Sequence, residues 1–188
     1  IGSMEEPGFL REAGIELPMY FDQGMYSWNH LAGAAMERYG ADRLTIPVEL
    51  NEREIRDSGV QGEMIVYGYL PMMISAQCIR KTTLGCSGKS EIMWLKDRKD
   101  MRFPVVNQCR FCYNTIYNSA PLSLLGLSEQ VTGLKPNAVR LNFTVEEPAA
   151  AGEILDAFFE EYGMSEKAAE PPVLRNQFTR GHFKRGVE

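Results

Sequence analysis

Four cysteines, the only ones in the chain, fall within one window, spaced Cys78-x7-Cys86-x22-Cys109-x2-Cys112. Thiolates are soft ligands, suited to iron–sulfur clusters and zinc. A [4Fe–4S] cluster takes four of them, and irregular spacing is tolerated when the ligands come from separate loops. Zinc also accepts four thiolates, but its structural knuckles set them as two close pairs, and here only Cys109-x-x-Cys112 is such a pair. Two other readings stand beside these. Cys109-x-x-Cys112 is a candidate redox dithiol, and a free cysteine also packs as a small hydrophobe. The leading expectation is that Cys78, Cys86, Cys109 and Cys112 hold a [4Fe–4S] cluster, with zinc as the alternative.

The surroundings of the cysteines differ in charge from the rest of the chain. The chain as a whole carries a net charge of −5. Residues 1–63 have 5 basic and 12 acidic side chains, whereas residues 80–110 have 8 basic and 3 acidic. Such a positive field on an acidic protein suits an anionic substrate or a nucleic-acid backbone, and Arg80, Lys81, Arg98 and Arg110 are the candidate contacts. A solvated hairpin with ordinary surface lysines gives the same count. Trp94, Phe103, Phe111, Tyr113 and Tyr117 interleave with these cations. Rings beside cations suit stacked nucleobases, although strand alternation alone also accounts for Trp94 and Phe103.

Hydrolytic chemistry has less to work with. The two histidines, His30 and His182, lie in no His-Glu-x-x-His run, and no Gly-x-Ser-x-Gly elbow occurs. Glu49 closes an expected strand, where barrel enzymes gather catalytic groups, and Arg140 lies within another, with a fork that matches a carboxylate or phosphate. Both serve equally well in structural salt bridges.

These residues need elements to hold them. A strand is expected over Glu16–Asp22. A helix capped by Ser27 or Asn29 follows through Arg38, closed by Gly40. Next come a strand over Arg43–Val48, a short helix with an Asn51/Glu54 capping box ending at Gly59, and a strand at Glu63–Tyr67 within an apolar run that continues to Ser75. This alternation is the βα rhythm of a parallel sheet. The cysteine segment interrupts it with a hairpin, Ile92–Leu95 against Phe103–Val106. The segment 118–121 reads as loop and 122–134 as irregular or short helix. A strand at Asn137–Phe143 follows, then a helix from Pro148 with Ile154, Leu155, Phe158 and Phe159 on its apolar face, ending at Gly163.

Residues 1–4 read as a cloning scar, 5–163 as the domain with its cysteine and hairpin insertion at 78–121, and 164–188 as a linker and basic tail. No apolar run approaches the ~20 residues of a membrane span. The N-terminus lacks a basic segment followed by an apolar one, so the expected home is the reducing cytoplasm.

The ordered runs Leu44-Thr45-Ile46-Pro47-Val48-Glu49-Leu50-Asn51, Val66-Tyr67-Gly68-Tyr69-Leu70-Pro71-Met72-Met73, Leu95-Lys96-Asp97-Arg98, Asn118-Ser119-Ala120-Pro121-Leu122 and Val139-Arg140-Leu141-Asn142-Phe143 resemble the collagenase-like peptidases of family U-thirty-two. The resemblance covers about residues 15–160. It implies an α/β fold, the C-terminal half of a TIM-like barrel carrying the cysteine segment; a closed barrel needs ~250 residues. It implies either a peptidase of unknown catalytic type, acting on peptides, or an iron–sulfur enzyme that hydroxylates RNA bases or a quinone ring without oxygen, using prephenate. The four cysteines stand where such members place cluster ligands. A half-barrel leaves sheet edges open, so self-association is expected.

Overall fold

A computed structural model describes residues 1–163 and 177–186. Its elements run α1 (Glu6–Glu12), β1 (Tyr20–Phe21), α2 (His30–Tyr39), β2 (Arg43–Leu44), α3 (Glu52–Ser58), β3 (Glu63–Gly68), β4 (Pro71–Ser75), α4 (Ile79–Leu84), β5 (Ile92–Lys96), β6 (Arg102–Gln108), β7 (Tyr113–Tyr117), β8 (Leu122–Ser123), α5 (Ser128–Gly133), β9 (Ala138–Asn142) and α6 (Pro148–Glu161). The α/β class is as expected. The described strands form three sheets, ordered β1-β2, β8-β3-β9 and β4-β7-β6-β5, and no closed barrel. The chain divides into two compact units: one of Ile1–Val66, Leu124–Leu141 and the tail from Arg180, the other of Tyr67–Ser123 and the stretch from Asn142. The expected insertion at 78–121 therefore lies inside a wider second unit.

In the first unit the βα rhythm is present. β1 runs parallel to β2, and Thr45 bridges Glu63 in parallel. Local chemistry sets the helix ends. The Asn29 side chain accepts from the Ala32 amide to start α2, and Gly40, at φ 112°, ends it where a side chain would be strained. Asn51 and Glu54 close a reciprocal capping box on α3. The core gathers Phe21, Met25, Leu44 and Val60, with Ile1, Met19, Met36 and Tyr39 packed around it.

Both ends of the described chain are bonded into the first unit, residues 1–4 among them. The Ile1 ammonium donates to the Tyr20 carbonyl at 2.7 Å, and the Tyr39 hydroxyl donates to the Met4 carbonyl. The tail from Arg180 is held in the same unit. Phe183 is buried, its carbonyl accepts from the Glu52 amide, and Arg180 donates to the Leu125 carbonyl at 2.6 Å. The linker expected at 164–174 lies outside the described residues.

In the second unit the apolar run expected to continue from Ile65 to Ser75 is broken at Gly68. Its second half becomes β4, whose Met72, Met73 and Ile74 are exposed. The expected hairpin is β5 against β6, antiparallel from Ile92↔Val106 to Lys96↔Arg102. β8 runs antiparallel to β3 through Tyr67↔Ser123, a departure from an all-parallel sheet. α6 starts at Pro148 as expected, but Ile154, Ala157 and Phe158 are its buried residues, while Leu155 and Phe159 keep more than a third of their surface exposed.

A group of phenols also belongs to this unit. Burial, and then the Glu146 carboxylate, pushes Tyr67 and Tyr69 upward; Tyr117 is raised by burial, then Tyr113 and Glu146. Tyr162 is pushed up to about 12 by burial and then by Glu161. A raised phenol favours its neutral form in the folded state. Its contribution is fully present below the unfolded value near 10 and is lost as pH rises toward the folded value. An alkaline titration is thus expected to show a late tyrosinate step near pH 12, concurrent with loss of near-ultraviolet circular dichroism. A single early step with the dichroism unchanged would contradict this packing.

Candidate metal centre

The second unit's four-stranded sheet explains how distant cysteines meet. It is antiparallel throughout, so the end of β4, the start of β5, the end of β6 and the start of β7 share one edge. Cys78 follows β4, Cys86 precedes β5, and Cys109 and Cys112 form the turn from β6 to β7. All four are free thiols at that end of the sheet.

Each thiol has its own anchor. Cys78 caps α4, its Sγ accepting from the Lys81 amide at 3.4 Å. The Cys109 amide donates to Ser90 Oγ at 3.2 Å. Cys112 sits at φ 55°, a left-handed position in the turn, and its thiol faces the Cys109 carbonyl at 3.8 Å. Cys109 is held above the ordinary thiol range, first by burial, then by Cys86, which also hydrogen-bonds to it, then by Cys112 and Cys78. One thiol therefore feels the other three. Thiolates crowded at one place are like charges, which a bound cation relieves. The donor set suits an iron–sulfur cluster or zinc. As placed, no group of three or more His, Cys, Asp or Glu side chains among the described residues forms a ligand set around one point. The thiols converge on one region without closing.

The polar residues that hold this end together were not legible as site residues. β6 and β7 pair Asn107 with Asn114, on one face of the sheet, 1% and 0% exposed. The Asn114 Nδ2 donates to the Gln77 carbonyl at 2.7 Å and more weakly to that of Ser75, which leads into Cys78. Asn107 accepts from the Glu91 amide and donates to the Lys89 carbonyl, in the stretch between Cys86 and β5. The sequence signal was available: an asparagine in an apolar run, Val105-Val106-Asn107, survives burial only with its amide bonded.

The candidate cations part company. Arg80 Nε donates to Glu91 at 2.7 Å, and Ser87 joins the same carboxylate. Those bonds, Arg80 first, hold the Glu91 carboxyl below its usual range. Arg80 is thus engaged within the site on one edge. Lys81 is exposed on α4, and the Arg110 guanidinium lies over the Phe111 ring, 5.4 Å from its centroid. Arg98 is in the turn between β5 and β6, at the opposite end of the sheet, a strand length of roughly 20 Å from the cysteines.

The remaining candidates lie in the first unit. Arg140 bridges Asp22 at 2.6 Å and Glu63 at 3.2 Å, so its fork is committed to two carboxylates. Glu49 sits in the turn after β2, half-buried, rather than at a strand end. His30 is exposed at the start of α2, and His182 Nδ1 is 2.8 Å from the Gly186 carbonyl. No helix among the described residues is long and apolar enough to cross a membrane.

Compared with known proteins, the chain matches no family model, no curated protein and no solved structure.

Proposed function

We propose that this chain carries the cluster site of an iron–sulfur enzyme of the collagenase-like peptidase type, on the C-terminal half of a TIM-like barrel, and that the intact protein hydroxylates RNA without oxygen. The observation that carries the reading is the placement of all four cysteines at one end of one antiparallel sheet. Cys78, Cys86, Cys109 and Cys112 would hold the cluster, which when bound supplies one-electron transfer. Lys81 and Arg110 offer positive charge at that end for an anionic substrate. The sheet face with Trp94 and Ile92, both exposed, and with Lys96 and Arg102 beyond them, suits stacking of unpaired bases next to cations. The parallel pairing of β1 with β2 and the Thr45 bridge to Glu63 suit the barrel reading, and the antiparallel β8 departs from it. Four free thiols suit a reducing, cytoplasmic setting.

The test is metal content. The chain is purified without oxygen and assayed for iron, acid-labile sulfide and zinc, with its visible spectrum recorded. Iron and sulfide in near-equal amounts, with a brown chromophore lost in Cys78→Ser, are expected. Zinc alone would replace the reading with a zinc-stabilised binding module. Neither metal, even after reconstitution, would remove the cluster and leave peptide hydrolysis by the full-length protein as the activity to assay.

A further inference from the structure

We infer that Asn107 and Asn114 are a paired latch that positions the cysteine loops, each amide holding one loop against the sheet. The inference rests on the reading that the four thiols form one site. The two side chains face each other across β6 and β7 and point to the same side of the sheet, because paired residues of neighbouring strands do so. From that shared position they reach in different directions along the chain. Asn114 grips the carbonyls of Ser75 and Gln77, immediately before Cys78. Asn107 grips the Lys89 carbonyl and the Glu91 amide, three residues and more beyond Cys86.

The asparagine half of each bond is buried and costly to leave unmatched, while its loop partners belong to exposed or half-buried residues. A loop carbonyl or amide packed against a sheet must be matched, and a side-chain amide, with one acceptor and two donors, does this where no strand is present to do it. Leucine or valine at these positions would suit the sheet core, as Val105 beside them shows by its complete burial. The asparagines are therefore better explained by the loops than by the sheet. Three further bonds extend the device. Ser90 accepts from the Cys109 amide, and Glu91 collects both Arg80, two residues after Cys78, and Ser87, next to Cys86. Residues 87–91 thus connect three of the four cysteine positions. The latch is a positioning element: it touches no reacting group, and acts by fixing the backbone on which the thiols stand.

The test reads each cysteine separately and needs no metal. Wild type, Asn107→Leu and Asn114→Leu are prepared reduced and metal-free and pulsed with iodoacetamide. Alkylation of each cysteine is followed by peptide mass spectrometry. Loss of a buried loop tether is expected to speed the adjacent thiol about fivefold. Asn114→Leu speeds Cys78 while leaving Cys86 near its wild-type rate; Asn107→Leu does the reverse. Ser90→Ala, at an exposed position, speeds Cys109. On reconstitution both leucine variants take up less iron and show an altered visible spectrum. Rates unchanged in the leucine variants, or raised equally at all four cysteines, overturn the latch. Should a leucine variant fail to fold, hydrogen exchange of the wild type decides. A Glu91 amide and Asn114 side-chain amide protected like the β6–β7 ladder support the latch, and free exchange of either overturns it. Loop-specific rates in a protein that binds no iron would uphold the latch and sink the cluster reading; normal iron with unchanged rates would do the opposite.

Discussion

Cys109→Ser is expected to lower bound iron by more than about tenfold, the largest effect of any single thiol replacement. Burial, and then its neighbours Cys86, Cys112 and Cys78, push the Cys109 thiol up. Its amide is tied to Ser90, so its backbone is held in place while its side chain faces its neighbours. A serine hydroxyl at the same point is harder and far less acidic, a poor ligand for iron. The fold itself has little stake in this sulfur. Cys109 is half-buried at a turn, and an exchange of similar volume there leaves the packing nearly unchanged. Loss of iron at an unchanged melting temperature would therefore locate the centre. Cys112→Ser is expected to be milder, leaving a partly loaded and oxygen-labile protein, because Cys112 is exposed on a left-handed turn residue. Iron and sulfide assays on both variants rank them. Full iron in Cys109→Ser would place the metal elsewhere.

What could be read in advance was local chemistry. Asn29, Gly40, the Asn51/Glu54 box, Gly59 and Pro148 mark helix ends through bonds made within a few residues, and the structure places those ends accordingly. The β5–β6 hairpin is local in the same sense: Asp97 Oδ1 accepts the Lys99 and Met101 amides and closes its turn. The four cysteines were legible as a set, since composition alone singles them out. What holds them was not. Asn107 and Asn114 become meaningful only once β6 and β7 are paired, and their bonds span 16 to 39 residues. The same distance in sequence hid the fate of the cations. Arg98 and Arg110 look alike in a charge count, yet the antiparallel turn sends one to the far end of the sheet and the other to the cysteines. A salt bridge for Arg140 was open in the sequence, but its partner was not, because Asp22 lies 118 residues earlier. Apolarity was also a poor guide to burial in β4. Met72, Met73 and Ile74 continue the run of β3 in composition, but occupy a sheet edge where they remain exposed.

The break between β3 and β4 rests on Gly68, and Gly68→Ala is expected to destabilise the protein by about 3–5 kcal/mol, lowering the melting temperature by roughly 10 °C. Two costs add. At φ 150° the backbone adopts a conformation that side chains rarely tolerate. A Cβ there would also collide with the Asn142 carbonyl oxygen and lie 2.9 Å from the Asn142 Cβ. Neither neighbour is the free end of a long side chain. Gly68 is held in register by its pairing with Leu122, and Asn142 ends β9, so relief requires a strand to move. This long-range approach, invisible in the sequence, is what confines position 68 to glycine. The same substitution at Gly152 supplies the contrast. Gly152 is inside α6, and a Cβ there meets nothing within 4 Å. Alanine at that position is expected to stabilise by up to about 1 kcal/mol, through helix propensity and a less disordered unfolded chain. Urea unfolding of the two variants measures both. Opposite signs support the close approach of Gly68 to Asn142; a Gly68→Ala midpoint within error of wild type would mean that β3 does not pass that close to the end of β9.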